Sequence, residues 1–340
     1  MLQIPIYKEV FSNEPQVLLE NDRFRVEGKR YRTGIESLTL SNERGYVEVL
    51  PFMGQIIWDA NFDGHSLRMK NMFEVPQPAK EITDTYGCFA FHSGILSAGC
   101  PSPEDTHQMH GEFPCAPMDQ CWLKVSDDAD AVRVVSSYEY VKGFGDHYRA
   151  QPSVTLRAGS GLFDIGLSVT NLSEYMPLSM QYMCHMNYAF VENGKLDQSI
   201  GKSAFKLRRS IPAHVTPTEE WTQLNEDIIS GKVDADDLSA AKGFDPEIVY
   251  FADDLPQYGE DMKFTMTSPD GTVFATQFKS SDFQVATRWI LYNPDQQVAA
   301  FVLPGTSRPE GFLAAEKAGT VVRVEPGATR TFVVTTGVEG

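Results

Sequence analysis

The run Gln181-Tyr-Met-Cys-His-Met-Asn-Tyr-Ala-Phe190 carries the side chain best suited to moving a proton, His185. Its aromatic and apolar content, without glycine or proline, predicts a strand. Successive strand side chains point to opposite faces. Tyr182, Cys184, Met186, Tyr188 and Phe190 therefore share one face, an ordinary core row, while Gln181, Met183, His185 and Asn187 share the other. Three polar groups on one side of an otherwise apolar strand suit a cleft. A buried histidine satisfied by a neighbour is the bland alternative, and the flanking Gln181 and Asn187 favour the cleft. Imidazole titrates near neutrality, so a histidine in a cleft can act as acid or base.

A second concentration lies in Phe91-His-Ser-Gly-Ile-Leu-Ser-Ala-Gly-Cys-Pro101 and Glu104-Asp-Thr-His-Gln-Met-His-Gly-Glu-Phe-Pro114. His92, His107, His110, Asp105 and Glu112 sit there among glycines and prolines, the composition of a structured loop, and loops on rigid scaffolds are where sites tend to lie. Imidazoles and carboxylates are zinc or iron ligands. However, His107-Gln-Met-His110 is not HExxH, and an i, i+3 pair chelates only on a helix, which Gly111 and Pro114 oppose. No metal and no cofactor is expected. His65, His107, His147 and His214 read as scattered surface histidines.

The elements that must position these groups are mostly short strands. Arg25–Arg30, Glu36–Ser41, Tyr46–Leu50, Ala131–Tyr140, Phe163–Leu172 and Val321–Val324 read as strands. They are punctuated by Asn42-Glu-Arg-Gly45, Gly159-Ser-Gly161, Pro269-Asp-Gly271 and Pro326-Gly327, which supply the backbone angles of tight turns. The stretch 321–338 reads as a hairpin around Glu325-Pro-Gly. Regularly spaced strands of this kind predict an all-β sandwich. One helical interruption is expected near 216–240, with Thr216 as N-cap, Pro217 at the first helical position and Glu219 closing a capping box. One domain spanning 25–340, preceded by an extension at 1–24, is the simplest division.

The chain has 340 residues with 42% hydrophobic content, enough for a packed core. Its net charge of −17 lacks the basic footprint that nucleic acid or an anionic membrane surface requires. No apolar run approaches the ~20 residues that span a bilayer, and the start shows no signal-peptide pattern. Five cysteines without CxxC spacing read as reduced thiols, so a cytoplasmic location is expected. The oligomeric state stays open.

At His110-Gly111 the pattern becomes specific. A Gly-rich segment, Ser93-Gly-Ile-Leu-Ser-Ala-Gly99, precedes His110-Gly111, and His185-Met-Asn187 follows on a strand. Arg288-Trp289, Pro304-Gly-Thr306, Pro309-Glu-Gly311 and Pro326-Gly327 complete the set. This pattern, spread over roughly residues 25–338, resembles the aldose 1-epimerase (galactose mutarotase-like) superfamily, in its uncharacterised aldose-epimerase-like branch. The resemblance implies a β-supersandwich with a cleft for a monosaccharide or sugar acid, whose anomers interconvert by acid–base ring opening. It gives His185 the role of acid and His110 that of a sugar contact. Asn187, Arg68, Arg288 and Glu247 are the further substrate-binding candidates it suggests. The family's general base is a glutamate directly before the Pro of the terminal motif, where this chain has Leu303. Glu310 is the nearest replacement. The alternative is a non-catalytic carbohydrate-binding or sensing protein on the same scaffold.

Overall fold

The structure, a computed structural model, describes residues 2–211, 215–239 and 241–340; His214 lies outside them. Alternating apolar residues build its strands. Along Leu162–Asn171, for example, Phe163, Ile165, Leu167 and Val169 are buried.

Two antiparallel sheets form a sandwich. The first holds nine strands among the described residues, in the spatial order Leu2–Ile6, Gln120–Val125, Ala131–Val141, His147–Arg157, Leu162–Asn171, Thr329–Val338, Val273–Lys279, Asp261–Thr267 and Lys195–Gln198. The second holds thirteen, and its main path runs Lys206–Leu207, Ile248–Ala252, Val285–Tyr292, Gln297–Gly305, Leu178–Met186, Ala90–Ile95, Ile56–Phe62, Gly45–Leu50, Glu36–Asn42, Arg25–Arg30 and Gln16–Glu20. The segment read as an N-terminal extension thus supplies an edge strand to each sheet.

Between the sheets lies one apolar core. Phe163 of the nine-stranded sheet stacks on Phe62 of the other with ring centroids 5.8 Å apart, and Phe332 meets Tyr182 at 4.9 Å. Fully burying such a side chain stabilises the fold by ~1.5–3 kcal/mol. The contact from Tyr182 fixes which face of the His185 strand is inward, and so turns His185 to the outer face of the thirteen-stranded sheet.

Two expectations are corrected here. Val322–Val324 and Thr329–Val338 do not form a hairpin, because the former pairs with Leu178–Met180 and the latter joins the other sheet. Asn171 holds the link open, donating from Nδ2 to the Val324 carbonyl while its backbone pairs with Gly327 and Ala328. The helix begins at Glu219, two residues later than the Thr216 cap implied, and ends at Ile229. Thr218 caps it, accepting from the Trp221 N–H at 3.1 Å. No helix among the described residues is long and apolar enough to cross a membrane.

Candidate active site

A cavity of about 460 Å³ opens on the outer face of the thirteen-stranded sheet. Met183 and His185 reach it from the strand Leu178–Met186, because Tyr182 and Cys184 occupy the inward face. Opposite His185 in the register is Phe91, whose ring stacks on the imidazole at 4.5 Å with 14° between planes. On the other side, Met183 pairs with Gly305. Two residues further along this antiparallel pairing, Leu303 stands beside His185 and also lines the cavity.

His110 enters from the loop after Ala90–Ile95. Its backbone is in the left-handed region (φ +65°), and its N–H donates to the Gly99 carbonyl at 2.7 Å. Gly111 follows at φ +83°, where a Cβ would collide with the carbonyl oxygens of Ser97 and Gly94. That close approach is the physical content of the His-Gly pair. Ser93 Oγ holds His110 Nδ1 at 3.1 Å. Glu112 serves the same loop, accepting from the N–H groups of Ile95 and Leu96 and from the Tyr148 hydroxyl. The His110 ring stands perpendicular to His185, centroids 4.9 Å apart.

Glu247 and Trp289 form another wall. Val249 pairs with Trp289 across neighbouring strands, which brings the preceding Glu247 to the indole. Trp289 Nε1 donates to Glu247 Oε2 at 2.7 Å, and Arg208 Nη2 donates to Oε1 at 2.7 Å. Trp221, from the inserted helix, donates to the Glu247 carbonyl at 2.6 Å. Tyr86 completes the polar end, its hydroxyl 3.3 Å from His185 Nε2.

Burial dominates the proton affinities. It holds His185 well below its ordinary 6.5, His110 adds to the effect, and Asn187 opposes it. Burial, reinforced by His107, lowers His110 to about 3 against a small opposing effect of Glu247. The Cys100 thiol, also on the cavity wall, is pushed up to about 11, chiefly by burial. Burial thus favours the neutral form of both imidazoles and the protonated thiol.

No protein-family model and no curated protein matches the sequence, but solved structures match its fold. A candidate aldose 1-epimerase of Klebsiella pneumoniae superposes with a TM-score of 0.76 at 16% identity, over 99% of this chain and 87% of that one. A galactose mutarotase-like protein of Clostridium acetobutylicum gives 0.64 at 12% identity, covering 94% and 100%. A candidate mutarotase of Salmonella typhimurium gives 0.58 at 8%, covering 95% and 96%. The chain has the galactose mutarotase-like fold.

Within this mutarotase-like fold, the residues singled out in the sequence separate into two groups. His185, His110 and Glu247 meet in the cavity. The others do not line it. Arg288 is a correction: strand alternation sends Trp289 into the cavity and Arg288 away from it. Arg288 is 1% exposed, paired with Asp236 at 2.7 Å and stacked over Phe205. Glu310 is a second correction, since it turns outward beside Arg308, which itself engages Asp253. Arg68 is a third. Its guanidinium lies over Trp58 and donates to the carbonyls of Phe73 and Gly87, so it clamps the loop that delivers Phe73 and Tyr86. Asn187 stands behind His185, with Nδ2 donating to the Cys88 carbonyl at 3.0 Å.

The histidines of the 91–110 region do not converge. His92 points inward and bonds the Tyr182 hydroxyl at 2.8 Å, while His107 lines a separate depression. Sequence reasoning missed Tyr86, Arg208 and Cys100. Tyr86 and Cys100 lie in loops without periodic signal, and Arg208 directly follows a strand of only two residues, Lys206–Leu207.

Proposed function

We propose that the cavity binds a free aldose or sugar acid and accelerates interconversion of its anomers, with His185 as the proton-transfer group. One arrangement carries this reading: His185, His110 and Glu247 open onto a single cavity in a fold shared with candidate aldose 1-epimerases. Ring opening needs a proton taken from the anomeric hydroxyl and one delivered to the ring oxygen as the C1–O5 bond breaks. Rotation about C1–C2 and reclosure give the other anomer. Positioned acid–base groups contribute ~10²–10⁴-fold to such steps.

The remaining residues suit sugar binding. Trp289 offers an aromatic face for the apolar side of a pyranose, and Glu247 with Arg208 offers a carboxylate and a guanidinium for hydroxyl or carboxylate substituents. His110 supplies a further polar contact. Glu310 is set aside as base because it lies outside the cavity.

The test is anomer exchange by magnetisation-transfer NMR across a panel of free aldoses and hexuronic acids. Accelerated exchange of at least one sugar is expected. Saturable sugar binding without acceleration of any panel member would overturn the catalytic reading and leave a binding protein.

A further inference from the structure

Leu303, beside His185 on the cavity wall, can accept no proton, and among the described residues the cavity-lining carboxylates stand elsewhere. Glu247 has one oxygen on Arg208 and the other on Trp289, and Asp245 lies towards the Asn293 side chain. His185 has a different surrounding. Its Nδ1 is buried without a formed hydrogen bond, and so is the Oδ1 of Asn187, two positions along on the same face. Asn187 Oδ1 can only accept, since Nδ2 is committed to the Cys88 carbonyl. Pairing Nδ1–H with Oδ1 satisfies both atoms and fixes the tautomer, leaving the Nε2 lone pair directed at the cavity. In that tautomer the Tyr86 hydroxyl, 3.3 Å away, is the donor to Nε2.

Resting on the sugar reading above, we propose that His185 is the sole proton carrier of the site, acting in its Nδ1–H form as base and then as acid, with Asn187 as the positioning residue. Nε2 takes the proton of the anomeric hydroxyl. The C1–O5 bond breaks with its electron pair going to O5, C1–O1 becomes the carbonyl, and O5 takes the same proton back from Nε2. O1 and O5 are both bonded to C1, so one nitrogen serves both. No proton is gained or lost, and no second base is required, which is why leucine is tolerated at position 303.

The titratable groups facing His185 are Tyr86 and His110 from the two flanking loops, with Cys100, Arg208, Asp245 and Glu247 elsewhere on the cavity wall; Cys184 turns to the opposite face. Leu303 and Met183 contribute no charge. Burial and His110 accordingly keep the resting ring neutral, the form the first step uses.

The test combines the 15N-NMR tautomer of His185 with the pH profile of anomer exchange. An Nδ1–H ring with bare Nε2 is expected, together with a profile that rises through one acidic ionisation and stays flat to pH ~9, since no second group titrates in the step. Asn187→Leu should shift the tautomer towards Nε2–H and lower kcat by ~10-fold or more with little change in KM. Leu303→Glu, at a site that does not depend on the Asn187 variant folding, should add a second ionisation to the profile. An Nε2–H ring in the wild-type protein, or a wild-type bell-shaped profile, would overturn the shuttle while leaving the sugar reading intact. Failure of the wild-type protein to exchange any sugar would remove both.

Discussion

At the scale of single residues, strand alternation decides more than residue type. His185 and Trp289 face the cavity because Tyr182, three positions before His185, and Arg288, one position before Trp289, are taken up by the protein interior. The adjacent Arg288-Trp289 pair could place only one member in a cleft, and which member it would be was invisible without the partner strands. Glu247 lines the cavity, as Asp245 does, and its two oxygens already carry charge-assisted partners. Such bonds stabilise by ~1.5–3 kcal/mol where they are buried. Glu247→Gln should therefore raise KM for the exchanged sugar by ~10-fold, with kcat changed far less. Steady-state exchange kinetics would check it, and a collapse of kcat at unchanged KM would instead make Glu247 a proton carrier.

At the scale of elements, the motif His110-Gly111 was legible through its resemblance to a family pattern, and the folded loop supplies the physical reason for the glycine. Gly111 is left-handed and stands beside two crowding carbonyls. Gly111→Ala should cost ~1–3 kcal/mol from backbone strain alone, with the collision against Ser97 and Gly94 adding to it. Urea denaturation would measure this, and unchanged stability would show that the loop has other ways to seat His110. The strands with clean alternation, such as Phe163 to Val169, were legible from that alternation itself. The false hairpin at 321–338 was not, since whether a Pro-Gly turn closes a hairpin or passes the chain to another sheet depends on Asn171, 155 residues before Pro326. The helix cap moved from Thr216 to Thr218 because two threonines competed and only contact with the folded chain chose between them: Thr218 Oγ1 also reaches the Asp245 carbonyl.

At the scale of the whole molecule, the sandwich buries neutral histidines, and this links stability to pH. Burial alone lowers His92 to about 3, and His110 lies at about the same value, against an ordinary 6.5. Between these limits the unfolded chain binds protons that the folded chain excludes, so stability falls as pH drops from 6.5 towards 3. Each such histidine contributes a slope of ~1.4 kcal/mol per pH unit in that window. Thermal unfolding at stepped pH should show the fall, and His92→Gln should make it shallower; an unchanged slope would mean His92 takes up its proton in the folded state. The all-β architecture was readable from turn spacing, whereas the cavity is assembled on one sheet from chain segments as far apart as Tyr86 and Leu303 and exists only once those strands and loops are brought together. What the molecule does with that cavity is tested most directly by comparing anomer exchange in the wild-type protein with that in His185→Asn, using magnetisation-transfer NMR on a sugar shown to bind both. Acceleration by the wild-type protein and its loss by ~10²–10⁴-fold in the variant is the expected result; equal exchange rates in the two proteins would contradict it.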